Sequence, residues 1–140
     1  MRLNNEIPTP DQVTQQAIAY WKSKIPKNLD LPPECDHVGI LILNEFREIR
    51  TFYLLSAAMV SALFFSQTLV LRVAVQANAS GIVLMHNKTN GQLEPSSEDI
   101  LLTRNLILGA RLVGMEMLDH IMIDNENHHS LRQSGCISDW

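Results

Sequence analysis

Between His86 and Asp99 the chain reads His-Asn-Lys-Thr-Asn-Gly-Gln-Leu-Glu-Pro-Ser-Ser-Glu-Asp, a polar stretch between two apolar segments. The apolar run before it, residues 82–85, predicts a buried strand, and the helical spacing of apolar residues over 100–113 predicts a helix. A histidine therefore lies at the end of a strand, and Ser96 and Asp99 lie in the first turn of the following helix. Such strand ends are where α/β proteins commonly place their functional sites.

The segments on either side predict further strands and helices. Residues 38–43 form a continuous apolar run, which is typical of a central strand covered on both faces. Thr9 and Pro10 mark the start of an N-terminal helix, and we expect Pro26 to end it. The other predicted elements are a strand over 49–54, a loop over 56–65, a helix capped by Ser66, and a hairpin of strands over 117–124 and 128–133.

The composition is that of one globular domain. The 140 residues are 46% hydrophobic and 19% charged, which is enough apolar material for a core. The net charge of −4 and the absence of a basic run argue against a nucleic-acid partner. Cys35 and Cys136 form no Cys-x-x-Cys pair, so we expect free thiols in a reducing compartment and a cytoplasmic protein. Residues 1–6 lack the apolar core of a signal peptide.

One segment allows a membrane interpretation. Residues 51–71 contain no charged side chain, and a transmembrane helix needs about 20 predominantly apolar residues. Serines, a glutamine and a threonine interrupt the segment at positions 56, 61, 66, 67 and 68, which favours a segment of the globular domain. The membrane-anchored alternative predicts that detergent is needed for extraction.

The side chains at the ends of the polar stretch are of types that bind metals. A zinc hydrolase needs about three protein ligands and an open position for water, and a carboxylate nearby to move protons. His86 and Asp99 are candidate ligands, and Ser96 is placed to hydrogen-bond a reacting oxygen. Each also has an ordinary structural explanation, because Ser96 with Asp99 fits a helix capping box and a lone histidine is often only hydrogen-bonded.

Two other pairs of adjacent residues are weaker candidates for a functional site. His128 and His129 are adjacent on a predicted strand, so their rings point to opposite faces, and we expect both at the surface. Asp119 and His120 alternate in the same way and do not make a ready dyad.

The polar stretch resembles the JAB/MPN (JAMM) metallopeptidase pattern H-x-H-x7-S-x2-D. His86, Ser96 and Asp99 stand at the first histidine, the serine and the aspartate, with the spacing kept. The RadC-like branch of that family is the more specific resemblance, which covers roughly residues 36–135. Its matching positions are 83–87, Gly91, 95–100, 118–123 and 130–132.

The resemblance implies a fold and a chemistry. It implies an α/β domain over residues 34–140 with a mixed central sheet flanked by helices, preceded by an extra N-terminal helix and a proline-containing linker over 1–33. It implies zinc held by His86 and Asp99, and hydrolysis of a peptide or isopeptide bond. In that scheme Asp36 activates water and Ser96 stabilises the oxyanion. The helical-hairpin region common in full-length RadC-like proteins has no counterpart in these residues.

Several positions depart from the family pattern. Lys88 stands where the second ligand histidine belongs, and Thr89 replaces the usual proline. A protonated lysine has no lone pair with which to bind zinc. Asp36 takes the place of the catalytic glutamate, with Glu34 as an off-register substitute. Asp36 is one methylene shorter than glutamate, and a misplacement of about 1 Å can cost about 100-fold in rate.

Two functional interpretations follow from these residues. In the first, the protein is a zinc-dependent metallopeptidase, weakened by Lys88. In the second, it is a catalytically inactive module that keeps the fold and binds a peptide or protein partner. We hypothesise that the Lys88 ammonium occupies the vacated metal position and pairs with Asp99; the alternative is that it points to solvent.

Overall fold

The computed structural model describes residues 6–28, 37–55, 67–88, 92–124 and 126–140. The helices are α1 (Pro10–Asn28), α2 (Gln67–Gln76), α3 (Ser97–Leu112) and the short α4 (Leu131–Ser134). The strands are β1 (His37–Leu43), β2 (Ile49–Leu55), β3 (Gly81–Asn87), β4 (Glu116–Ile123) and β5 (His128–Ser130).

The strands form one mixed sheet in the order β2-β1-β3-β4-β5. Strand β1 is antiparallel to both β2 and β3, whereas β3 and β4 are parallel and α3 makes the crossover between them. Every residue of β1 is buried, as its continuous apolar run predicted. The mixed sheet with helices on both faces confirms the predicted fold class.

Helices cover the two faces of the sheet. On one face, α1 packs its buried residues, among them Val13, Ala17 and Trp21, against alternate residues of β1, β3 and β4. On the other face, α2 and α3 bury Val70, Ala74 and Leu106 against the remaining set. The strand alternation therefore sorts the apolar side chains into two separate cores.

A glycine on β1 allows α1 to lie close to the sheet. A Cβ added at Gly39 would lie 2.8 Å from the ring atom Cζ3 of Trp21, which is buried and cannot turn aside. We expect Gly39→Ala to lower the free energy of unfolding by about 1–3 kcal/mol through overpacking. Gly81→Ala is the control, because the atom nearest to its Cβ would be the terminal Cδ1 of Leu118 at 3.3 Å, and the next, the Glu116 carbonyl oxygen and Leu43 Cβ, would be at ordinary contact distances of 3.5 and 3.7 Å. Equal losses for the two variants in urea denaturation would contradict the close approach as the cause.

The start of α1 agrees with its sequence, but its end does not. Thr9 and Gln12 exchange backbone-to-side-chain hydrogen bonds of 2.9 and 3.2 Å, so α1 begins with a capping box at the predicted start. The prediction that Pro26 ends the helix is wrong, since α1 runs to Asn28. The fixed φ of proline is compatible with helical backbone, and in the last turn proline removes a single hydrogen bond.

The predicted second strand of the C-terminal hairpin is also partly wrong. It was expected to span 128–133, yet β5 stops at Ser130 and α4 begins at the next residue. Ser130 caps α4, because its Oγ accepts a 3.0 Å hydrogen bond from the Gln133 N–H. The hydroxyl of Ser130 in turn donates to Asp119 at 2.5 Å, which holds the serine in the position where the strand ends.

The segment that allowed a membrane interpretation is described only at its ends. Residues 51–55 belong to β2 and residues 67–71 to α2. The loop predicted over 56–65, and Ser66, the predicted cap of the helix that follows, lie outside the described residues. Within the part of the chain that the structure describes, no helix has the length and apolarity needed to cross a membrane.

Candidate metal centre

The structure brings His86 and Asp99 to the same place. His86 lies near the end of β3, and Asp99 lies in the first turn of α3, which begins ten residues later in the chain. His120 of β4 joins them, because β4 pairs with β3 so that His120 is opposite Leu84, on the same sheet face as His86. The rings of His86 and His120 are nearly parallel, at 6°, with centroids 6.3 Å apart.

Ser96 and Asp99 form the capping box that their spacing allowed. The Oγ of Ser96 accepts from the Asp99 N–H at 3.1 Å, and Oδ2 of Asp99 accepts from the Ser96 N–H at 2.8 Å. The Ser96 hydroxyl also lies 2.9 Å from Oδ2 and donates to it. The hydroxyl that the resemblance assigns to an oxyanion is therefore engaged in starting the helix.

Lys88 points toward Asp99 rather than into solvent. Its Nζ lies 3.5 Å from Asp99 Oδ2, and the two side chains are only 15% and 12% exposed. Burial alone would raise the pKa of Asp99, but hydrogen bonds from Ser96 and electrostatic interactions with His120 and the Lys88 ammonium bring that pKa below its usual value. Asp99 is therefore an ionised carboxylate at neutral pH, beside a lysine ammonium.

His120 was not predicted as part of this site, and Thr103 accompanies it. The Thr103 hydroxyl lies 2.7 Å from the Asp99 carbonyl oxygen and 2.7 Å from His120 Nδ1. Because the hydroxyl has one proton and donates it to the carbonyl, Nδ1 of His120 carries hydrogen and donates to Thr103. Burial, together with the neighbouring His86 and Lys88, lowers the pKa of His120 to about 3 against the opposing effect of Asp99. His120 is thus a neutral ring.

Asp119 faces away from this site, as the strand alternation predicted. Its carboxylate is fully buried between α1 and β5 and accepts from the hydroxyls of Thr14 and Ser130, both at 2.5 Å. The backbone N–H groups of His120 and Arg132 donate to its other oxygen at 2.7 and 3.1 Å. Burial raises the pKa of Asp119, and these hydrogen bonds oppose the rise. The network is structural and joins four elements, α1, β4, β5 and α4.

The donor set does not fit a zinc site of the kind expected for hydrolysis. Over the described ranges, no group of three His, Cys, Asp or Glu side chains is arranged to hold a metal ion. Of the expected ligands, His86 and Asp99 are together, but the third position belongs to Lys88, which has no lone pair to offer while protonated. Asp36, the expected general base, lies outside the described residues, as do Glu34 and Thr89.

His128 and His129 take no part in this centre. Both lie on β5, where His128 is exposed and His129 is half-buried, so the predicted surface position holds fully for the first of them.

Comparison with known proteins gives one family. The family model for RadC-like JAB domains matches residues 11–136. A UPF0758 protein of Porphyromonas gingivalis is 32% identical over 135 residues, which are 96% of this chain and 58% of the relative. A UPF0758 protein of Syntrophomonas wolfei is 29% identical over 137 residues, 98% of this chain and 56% of the relative. One from Trichormus variabilis is 44% identical over 64 residues, 46% and 26% of the two chains. The match covers little more than half the length of the first two relatives and about a quarter of the third.

Proposed function

The chain belongs to the family of RadC-like JAB domains, and we propose on that basis that it is a degenerate member. In this proposal the zinc-dependent peptide or isopeptide hydrolysis that the family resemblance implies is weakened or lost. The domain then acts by binding a peptide or protein partner through the fold it has kept.

The contact between Lys88 and Asp99 is the observation that carries this proposal. In a zinc centre the charge beside Asp99 would be a divalent ion, which lowers the pKa of bound water to about 7 and so supplies a nucleophile. Here the charge beside Asp99 is an ammonium at 3.5 Å. A lysine satisfies the partly buried carboxylate electrostatically, but it activates no water. In this proposal the Lys88 ammonium therefore balances the charge of Asp99, as a zinc ion would, but does not supply the nucleophile that zinc-bound water provides.

The hydrolase interpretation requires these residues to bind a metal and to stabilise an oxyanion with fewer groups than such a site usually has. His86 and Asp99 alone would hold the metal, and the loss of even an outer partner of a ligand typically costs about 10–100-fold in metal affinity or activity. Loss of a ligand itself should cost more. Ser96 would have to leave its hydrogen bond to Asp99 in order to reach an oxyanion. These demands favour the binding role over catalysis.

Zinc content tests the proposal. We expect the purified chain to carry substoichiometric zinc by elemental analysis, and Lys88→His to gain stoichiometric zinc because it restores the third ligand. Lys88→Gln is the matched control, since it removes the charge without supplying a good zinc ligand, and it should gain none. Adding His86→Ala to Lys88→His should abolish the gain. Stoichiometric zinc in the unchanged chain, lost on His86→Ala, would contradict the proposal and support the hydrolase interpretation.

A further inference from the structure

A cavity lies at the opposite end of β4 from the His86 site. It has a volume of about 210 Å³ and opens between the last turns of α3, the first residues of β4 and the C-terminal residue Trp140. A water molecule takes up about 30 Å³ of liquid, so the cavity would hold about seven. It is therefore large enough for a small organic molecule and too small for a nucleotide.

Two guanidinium groups line this cavity without a carboxylate partner in the described ranges. Arg111 donates from Nη2 to the backbone carbonyl of Asp139, and Arg132 donates from Nη1 to the Leu118 carbonyl at 3.1 Å. Each guanidinium has five N–H donors, so most of its hydrogen-bonding capacity remains available.

Glu116 also lines the cavity, and Asp139 precedes Trp140 in the chain; both carboxylates are paired with other arginines. Glu116 receives two hydrogen bonds from Arg47, at 2.7 and 3.2 Å. The Asp139 side chain is bound by Arg104 at 3.0 Å. Arg132 also interacts electrostatically with Glu116, but because Arg47 already pairs with that carboxylate, the two arginines of the lining leave the cavity with net positive charge.

The ring of Trp140 forms one wall of the cavity and contacts Arg132. The Arg132 guanidinium carbon lies 5.3 Å from the centroid of the Trp140 ring, a cation–π contact that fixes the guanidinium in place. Its indole Nε1 is buried and has almost no accessible surface, so Trp140 contributes its ring to the cavity and not this N–H.

We propose that this cavity binds a small organic oxyanion, a carboxylate or a phosphate monoester on a short apolar body. Guanidinium groups bind both kinds of oxyanion through paired hydrogen bonds. The buried side chains of Met115 and Met117 form the apolar part of the lining and would contact the body of the ligand. The C-terminal end of α3 opposes an anion with about half an elementary charge, which two full positive charges outweigh. The proposal does not depend on the state of the His86 site.

Four probes separate the parts of the proposal: benzoate, phenyl phosphate, inorganic phosphate and the neutral benzamide. Binding is measured by calorimetry and by tryptophan fluorescence, for which Trp21 provides a buried background on the other face of the sheet. We expect benzoate or phenyl phosphate to bind, inorganic phosphate to bind more weakly, and benzamide not to bind. The tighter of the first two identifies the oxyanion. Equal binding of benzoate and benzamide, or no binding of either anion, would overturn the proposal.

Substitutions then locate the bound probe. Arg111→Gln should weaken the tighter probe about tenfold or more, since it removes a charge-assisted pair of hydrogen bonds. Arg111 is exposed, so the fold should be unaffected. Arg72→Gln, an exposed arginine on α2, is the control and should leave affinity unchanged. Trp140→Phe should abolish the fluorescence response while calorimetry still detects weaker binding. Unchanged affinity in Arg111→Gln would show that the probe binds elsewhere.

Discussion

Replacing Asp119 by alanine should destabilise the fold more than any other single change in the polar residues described above. Asp119 is fully buried, and its carboxylate accepts hydrogen bonds from two hydroxyls and two backbone N–H groups. A buried donor that loses its acceptor costs about 1–3 kcal/mol. We therefore expect Asp119→Ala to lower the free energy of unfolding by at least about 3 kcal/mol, measured by urea denaturation.

Asparagine at the same position provides a graded test. In Asp119→Asn the amide oxygen can keep the two backbone N–H donors, and the hydroxyls of Thr14 and Ser130 can rotate to accept from the new NH₂ group. The loss should be clearly smaller than for alanine. Asp124→Ala is the control, because this carboxylate also accepts two backbone N–H groups but at a site where water can replace it. If Asp124→Ala cost as much as Asp119→Ala, the buried network would not be the source of the stability.

The same network explains which parts of the fold were predictable. The buried β1, the helix α3 and the capping box of Ser96 and Asp99 depend on residues close in sequence, and their patterns predicted them. The end of β5 depends on a hydrogen bond from Ser130 to Asp119, eleven residues away and across a strand pair. No local pattern carries that contact, so the strand was predicted three residues too long.

The sequence likewise predicted some residues of the candidate site and missed another. The family spacing placed His86, Ser96 and Asp99 together, since a strand end and the next helix start are neighbours in this topology. His120 was missed, because its position beside His86 depends on the register between β3 and β4. That register shifts at Leu118, where the pairing passes from Met117 to Asp119 while β3 advances by one residue. Alternation gives the face of a strand that a side chain occupies, but not its neighbour on the next strand.

Acid should destabilise this protein below about pH 6.5, and the buried neutral ring of His120 should be a principal cause. The ring is fully buried beside Lys88 and His86, and its pKa is lowered to about 3 from the 6.5 of an unperturbed histidine. Between these values the unfolded chain binds a proton that the folded chain does not bind. The stability contributed by the neutral ring is thus fully present above about pH 6.5 and falls with decreasing pH, by up to about 1.4 kcal/mol per pH unit.

The measurement is the free energy of unfolding in urea between pH 7 and pH 4.5, a window chosen to lie above the range in which Asp99, with its lowered pKa, is protonated. We expect His120→Gln to start less stable at pH 7 but to lose about 1–2 kcal/mol less than the unchanged chain over the window. His128→Gln, at an exposed position on β5, should follow the pH profile of the unchanged chain. Parallel profiles for His120→Gln and the unchanged chain would mean that the folded protein accepts a proton at His120. A second cation would then have to be accommodated beside Lys88, which would contradict the proposal that the single charge of Lys88 takes the place of a metal ion.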